Sequence, residues 1–175
     1  MKNNEKDIPS YKISLPLKKT KPKTWAIDKG DIKMSTLYTL IGIPGSGKST
    51  YASKKKECVI VSSDTIRKEL FGDEATQGDN AKIFSIVHER IKEELKKGND
   101  VIFDATNINP KNRKKVFDDN ADMNVAVFFN TPVEECKRRN NCRERVVPEY
   151  VIDRMTKNMI PPSYEEGFDS IIVIK

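Results

Sequence analysis

Residues 42–49 read GIPGSGKS and match the phosphate-binding pattern GxxxxGK[ST] in full. The glycines permit tight dihedrals and close backbone approach, so the N–H groups can form an anion nest before a helix N-terminus. Lys48 can reach the β- and γ-phosphates, and Ser49 can ligate Mg²⁺. The loop therefore predicts binding of ATP with Mg²⁺. The expected nucleotide-contacting residues are Gly42, Pro44, Gly45, Ser46, Gly47, Lys48, Ser49 and Thr50.

Two carboxylates follow apolar runs that are predicted strands. Asp104 ends the run at 101–103, and the carboxyl edge of a parallel sheet would place it beside the phosphate loop. An acid there would hold the metal through its water shell, whereas the alternative is a strand-terminating turn. Asp64 follows the run at 58–61 and is placed to accept a proton from an attacking hydroxyl. Arg67, about one helical turn later, would face the same cleft. From the residues alone, a helix cap at Asp64 and a surface position for Arg67 are equally good interpretations.

Residues 137–145 are dense in arginine, and the i,i+4 spacing of Arg139 and Arg143 predicts one shared helix face. Arginines on a mobile segment over the γ-phosphate would stabilise charge in a transition state. A solvated face and a basic patch for nucleic acid are the alternatives. The phosphate loop favours the clamping lid. His88, the single histidine of the sequence, is expected to have a structural role at the surface or in a groove.

The elements that would position these residues alternate between strand and helix. Near-continuous β-rich runs fit strands buried on both faces of a parallel sheet, and they occur at 37–41, 58–61, 101–103, 125–129 and 171–174. Residues 79–97 predict a helix, with Ile83, Val87, Ile91 and Leu95 recurring every four residues. Further helix starts are predicted at Asn109-Pro110, at a capping box over 131–134, and at Pro148. The pattern predicts right-handed crossovers and an open α/β sheet.

Composition predicts a single body, residues 34–175, preceded by a basic arm. The chain of 175 residues carries a net charge of +6, and residues 1–33 hold nine lysines against four acidic residues. Three prolines and few apolar residues predict a flexible or loosely docked arm, whose end Trp25 and Ile27 could pin to the body. The arm could grip a nucleic acid backbone, but a solubilising tail is the simpler interpretation.

The sequence favours a cytoplasmic protein. It contains no apolar run of about 18 residues and no apolar signal-peptide core, so neither a membrane span nor a leader is expected. Its three cysteines, Cys58, Cys136 and Cys142, include no CxxC pair. This usage is typical of a reducing compartment and argues against a disulfide framework or a zinc site.

Taken in order, five motifs resemble one known family. The loop GxPGSGKST, the segment SxDxxR, the strand end DATN, the pair RNxxR and the closing PxxxEGF are similar to the kinase domain of bacteriophage-type polynucleotide kinases, within the AAA-type ATP-binding P-loop kinases. The resemblance covers residues 37–175. It implies a P-loop NTPase fold with a five-stranded parallel sheet in the order 2-3-1-4-5, flanked by helices.

The resemblance also implies a role for each matching residue. Asp64 would be the general base that activates a 5′-hydroxyl, and Arg67 would contact the neighbouring phosphate of the acceptor. Lys48 and Arg143 would stabilise the transferring γ-phosphoryl group, with Arg139 supporting the lid. Ser49 would bind Mg²⁺, with Asp104 or Thr106 nearby. The reaction would convert ATP and a 5′-OH end of DNA or RNA into ADP and a 5′-phosphate end.

One departure and two alternatives bound this interpretation. The phosphatase motif DxDxT of the founding phage enzyme is missing from the sequence, so removal of 3′-phosphate is not expected. The alternatives are a P-loop kinase of a small molecule (a nucleoside or a sugar) and a non-catalytic ATP-binding module. The sequence leaves the choice of DNA or RNA and the oligomeric state open.

Overall fold

The computed structural model describes residues 12–14, 34–73, 78–116 and 121–175. In these residues the strands are β1 (Lys12–Ser14), β2 (Thr36–Ile41), β3 (Val59–Ser62), β4 (Val101–Asp104), β5 (Met123–Phe129) and β6 (Ser170–Ile174). The helices are α1 (Lys48–Lys54), α2 (Ser63–Phe71), α3 (Asn80–Lys96), α4 (Pro110–Lys114), α5 (Val133–Asn141) and α6 (Glu149–Asn158). A 3₁₀ turn, Tyr164–Glu166, precedes β6.

The sheet has the order β1-β6-β5-β2-β4-β3. Strands β2 to β6 are parallel, and counted by themselves they run 2-3-1-4-5, so the predicted sheet order is confirmed. Ser62 at the end of β3 lies opposite Asp104 at the end of β4. This register brings the start of α2 to the same sheet edge as the acidic end of β4.

Strand β1 extends the sheet beyond the five predicted strands. It pairs antiparallel with β6, with Ile13 opposite Ile172. Part of the basic arm is therefore an edge strand of the sheet. The rest of residues 1–33, including Trp25 and Ile27, lies outside the described residues.

Apolar side chains pack on both faces of the sheet, which explains the continuous apolar runs. Along β2, Leu37 belongs to the apolar cluster that includes the buried row of α3. Leu40 belongs to a second cluster, which includes Ala52 and Phe129. The predicted buried row of α3 is confirmed: Ile83, Val87, Ile91 and Leu95 are each at most 3% exposed.

All three predicted helix starts are confirmed, whereas the predicted capping box at one of them is wrong. The Asn109 side chain caps α4, with Pro110 in the first turn, and Pro148 directly precedes α6. The predicted capping box over 131–134 does not form, because α5 begins at Val133 without a side-chain cap. The Thr131 hydroxyl instead donates to the Ser46 carbonyl over 3.0 Å, which ties the end of β5 to the phosphate loop.

Arg113 of α4 is a fully buried cation. It donates from Nε and Nη2 to the two carboxylate oxygens of Glu166, at 2.7 and 2.6 Å. Its Nη1 donates to the carbonyls of Asn107 and Ile160, at 2.9 and 3.0 Å. One guanidinium thus joins the loop after β4, the end of α6 and the turn before β6.

Replacing Arg113 with methionine is expected to lower the free energy of unfolding by about 3–5 kcal/mol, because the Glu166 charge stays buried without its partner. Chemical denaturation measures this loss. The matched control is Arg90→Met, which breaks the exposed pair with Glu69 and should cost less than about 1 kcal/mol. Equal losses for the two variants would contradict the structural role of the buried pair.

Candidate functional site

The phosphate loop joins β2 to α1, and its glycines occupy positions that other residues would strain. Gly45 and Gly47 have φ angles of 81° and 103°. A Cβ on Gly45 would lie 2.1 Å from the Cys136 carbonyl oxygen of α5, and one on Gly42 would lie 2.6 Å from Ser46 Oγ. The glycines therefore allow both the left-handed backbone and the close packing of α5 against the loop.

Lys48 holds its charge inside this loop. Its side chain is buried, and Nζ donates to the carbonyls of Gly42 and Ile43, each at 2.9 Å. Burial lowers the pKa of Lys48 to about 8, against the opposing influence of Asp104, which favours the charged form. The loop thus concentrates a positive charge at the point where the motif predicts phosphate.

The loop also contains a free hydroxyl. Ser46 Oγ is buried and makes no hydrogen bond with any residue that the structure describes. A bound phosphate oxygen would satisfy this group. The buried cation, the orphaned hydroxyl and the glycine backbone together fit a triphosphate.

Ser49 and Asp104 form the oxygen-rich part of the site. Ser49 Oγ lies 3.4 Å from Asp104 Oδ2. Burial raises the pKa of Asp104, while Lys48 acts in the opposite direction. The Gly42 N–H donates to the Thr106 carbonyl over 3.0 Å, which fastens the loop after β4 to the phosphate loop. A hydroxyl beside a carboxylate is the donor set that suits Mg²⁺.

Asp64 and Arg67 lie in α2 at the same edge of the sheet. Ser62 is the N-cap of α2 and accepts from the Asp64 N–H, so Asp64 occupies the first turn and its carboxylate is free of capping. That carboxylate is 59% exposed and pairs with Arg67 Nη1 at 2.8 Å. Arg67 Nη2 also donates to Asn80 Oδ1 of α3 at 3.2 Å, which fixes the guanidinium between two helices.

The prediction that Arg139 and Arg143 share one helix face is wrong, because α5 ends at Asn141. The buried Asn140 side chain exchanges two hydrogen bonds with the backbone of Val147, at 2.8 and 3.0 Å. These bonds fold residues 142–146 into a loop. Asn140 is part of the RNxxR motif, but the motif did not predict its contact with Val147.

The two arginines consequently differ in surroundings. Arg143 lines the cleft, and its charge acts on Lys48 and Asp104. Arg139 donates to Glu135 at 2.6 Å and passes near Gly47. Arg138 and Arg139 lower the pKa of Glu135 to about 2, so this acid remains ionised beside them.

A cleft of about 1330 Å³ brings most of the predicted residues together. Those lining it are Pro44, Gly45, Gly47, Lys48, Ser49, Asp64, Arg67, Asp104 and Arg143. Gly42, Ser46, Thr50 and Arg139 lie outside its lining. The phosphate loop and the acids Asp64 and Asp104 therefore line a single cleft, to which the arginine-rich segment contributes Arg143 and Arg145.

Comparison with known proteins identifies the family. Residues 37–162 match the family described as AAA domain, which is a P-loop kinase family. The chain belongs to this family. The fold is accordingly that of a P-loop kinase, and the cleft lies beside its phosphate loop. A search of the curated proteins finds no match.

Solved structures extend the comparison. A chain in the structure of the Pnkp1/Rnl/Hen1 RNA repair complex is 25% identical with a TM-score of 0.64, over 76% of this chain and 46% of that one. This chain thus spans less than half the length of that relative. A gluconokinase from Sinorhizobium meliloti 1021 is 17% identical with a TM-score of 0.56, over 81% and 82% of the two chains.

A third structure, Kti12 from Chaetomium thermophilum in complex with ADP-AlF3, is 15% identical with a TM-score of 0.60, over 79% and 88% of the two chains. The gluconokinase and Kti12 likenesses show the fold. Among the helices of residues 34–73, 78–116 and 121–175, none has the length and apolar character needed to span a membrane.

ATP affinity is expected to fall as pH rises through about 8, because Lys48 of the nucleotide-free protein loses its proton there. The phosphate oxygens of ATP are ionised above about pH 7 and have no proton to give. Above about pH 8, Lys48 must therefore take up a proton from the solvent when ATP binds, and this uptake weakens binding. The dissociation constant should rise by up to about tenfold per pH unit above that pKa. Calorimetric titration between about pH 7.5 and about pH 9.5 measures this. Lys48→Met should bind weakly with little pH dependence, and a constant wild-type affinity would contradict the assignment.

Proposed function

We propose that the protein is an ATP-dependent polynucleotide 5′-hydroxyl kinase, which transfers the γ-phosphate of ATP to a 5′-OH end of DNA or RNA. The observation that carries the proposal is the Asp64–Arg67 pair, which lines the same cleft as Lys48 and Asp104. A base joined to a phosphate-binding cation suits an acceptor whose hydroxyl lies close to a phosphate. The likeness to a chain of an RNA repair complex supports this acceptor class.

In the proposed reaction the 5′-oxygen attacks the γ-phosphorus as the bond from that phosphorus to the β–γ bridging oxygen breaks. The hydroxyl proton passes to the Asp64 carboxylate, and ADP leaves with the bridging oxygen. Lys48 and Arg143 stabilise the charge on the transferring group, and Arg139 supports the lid. Arg67 holds the acceptor phosphate next to the reacting end and, through its ion pair, orients Asp64.

Ser49 and Asp104 would hold Mg²⁺, with Thr106 nearby. When bound, the ion neutralises developing charge on the β- and γ-phosphates. The chain's own contribution is the arrangement of the two oxygen donors at 3.4 Å and the fastening of both flanking loops.

Two other functions compete with this one. A P-loop kinase of a nucleoside or a sugar would use the same donor site. The fold likeness to a gluconokinase is consistent with a sugar as the acceptor. A non-catalytic ATP-binding module would bind ATP and form no phosphorylated product. Such a module gains nothing from an exposed carboxylate held beside an arginine, which favours the catalytic proposals.

A panel of acceptors offered with γ-labelled ATP distinguishes these functions. We expect label to enter 5′-OH DNA or 5′-OH RNA and to be absent from the same strands carrying a 5′-phosphate. Transfer to a nucleoside or a sugar, with none to oligonucleotide ends, would refute the polynucleotide proposal. ATP binding with no labelled product from any acceptor would support the non-catalytic module.

Replacing Asp64 with asparagine is expected to lower kcat at least about 100-fold with ATP affinity retained, because the acceptor proton loses its base. Initial rates and ATP titration measure the two effects. Asp153→Asn is the matched control, since Asp153 of α6 is a half-exposed acid that pairs with Lys137 of α5 and lies outside the cleft lining. Full activity in Asp64→Asn would exclude it as the base.

The proposed setting is the cytoplasm. The three cysteines are free thiols, and Cys136 is buried against the underside of the phosphate loop. A reducing compartment would keep them in this form. We also propose that residues 34–175 form the kinase unit, to which the basic arm of residues 1–33 adds the edge strand β1.

A further inference from the structure

One face of α3 forms a wall of the cleft that the proposed reaction does not use. Asn80, Phe84 and His88 recur every four residues and line the cleft together. The row begins at Arg67, whose Nη2 donates to Asn80 Oδ1. At 1.5 Å per residue it runs for roughly 12 Å, which exceeds the rise of about 3.4 Å for one stacked nucleotide.

The row presents two ring systems that are held in place. The Phe84 and His88 ring centroids lie 6.4 Å apart, and both side chains are half-buried. Phe84 also packs edge-on against the core residue Phe103, with centroids 6.5 Å apart. Burial lowers the pKa of His88, with Lys115 acting in the same direction, so its ring is a neutral flat surface. Such rings stack on nucleobases without regard to sequence.

A cation lines the same cleft as these rings. Lys115 follows α4 and is exposed, and it lines the cleft together with Asn112. Its charge acts on His88, so the two groups are near each other. No carboxylate among the described residues pairs with either group. An ammonium beside a half-buried ring suits single-stranded nucleic acid, because the cation binds a phosphate while the ring stacks on a base.

We propose that Phe84, His88 and Lys115 form a strand-binding subsite for the nucleotides that follow the reacting 5′ end. The bases stack on the two rings while Lys115 binds a backbone phosphate. This inference rests on the proposed function. Arg67 stands at the start of the row, so the strand leads away from Asp64 along α3. The subsite makes the protein prefer longer acceptor strands without selecting their base sequence.

Acceptors of increasing length test the subsite. Nucleoside 3′-monophosphate, dinucleotide, tetranucleotide and longer 5′-OH strands are compared in wild type, His88→Ala and Lys115→Ala. We expect the kcat/KM of the wild type to rise with the length of the acceptor. For the tetranucleotide, the kcat/KM of each variant should be about tenfold lower than that of the wild type. The nucleoside 3′-monophosphate and the KM for ATP should be unchanged. Lys114→Ala, an exposed neighbour outside the cleft lining, is the matched control.

The salt dependence of strand binding gives a readout that a purely structural role would not move. Lys115→Ala should reduce the slope of log affinity against log salt by about 0.7, the value for one phosphate contact on a single strand. His88→Ala should weaken binding with the slope unchanged. Transfer to 5′-OH ends without any length preference, or equal losses on short and long acceptors, would overturn the subsite alone. Absence of transfer to every 5′-OH acceptor would overturn the proposed function together with it.

Discussion

A desolvated ammonium under the phosphate loop is the constraint around which the structure is arranged. Burying Lys48 is costly, and the loop offsets part of that cost with two carbonyl acceptors and the nearby Asp104 carboxylate. A lysine held in this way is weakly solvated and ready to exchange its carbonyl partners for phosphate oxygens. The ends of β2 and β4 must meet at one edge to supply those groups, and the parallel sheet provides that geometry.

Three hydrogen-bonded connections keep the surrounding parts in position. Thr131 ties the end of β5 to the loop, and Asn140 folds the segment that carries Arg143 over the cleft. Arg113 joins α4 to the end of α6 and to the turn before β6. Each connection satisfies polar groups that burial would otherwise leave unpaired. These connections frame the phosphate-loop side of the cleft, whereas the proposed acceptor side is held by the ion pair of Asp64 with Arg67 and by the hydrogen bond from Arg67 to Asn80.

The sequence predicted the features that depend on short, local residue patterns. Apolar runs gave the five parallel strands, the four-residue repeat gave the buried row of α3, and the family resemblance gave the strand order. The phosphate loop and Asp104 followed from motif and sheet-edge reasoning. These inferences succeeded because burial and backbone geometry leave a periodic signal in the chain. The positions of Arg139 and Arg143 did not follow, because a tertiary contact of Asn140 closes the loop after α5. Arg113 lies in a basic run that is typical of a solvated face, and its burial depends on Glu166, 53 residues later.

In the proposed reaction, a nucleic acid 5′ end enters the cleft with its hydroxyl at Asp64 and its first phosphate at Arg67. A crystal structure of Asp64→Asn with a non-hydrolysable ATP analogue, Mg²⁺ and a short 5′-OH oligonucleotide tests it most directly. We expect the 5′-oxygen within hydrogen-bond distance of residue 64 and the γ-phosphate between Lys48 and Arg143. A 5′ end bound away from residue 64, with the analogue seated in the phosphate loop, would contradict it.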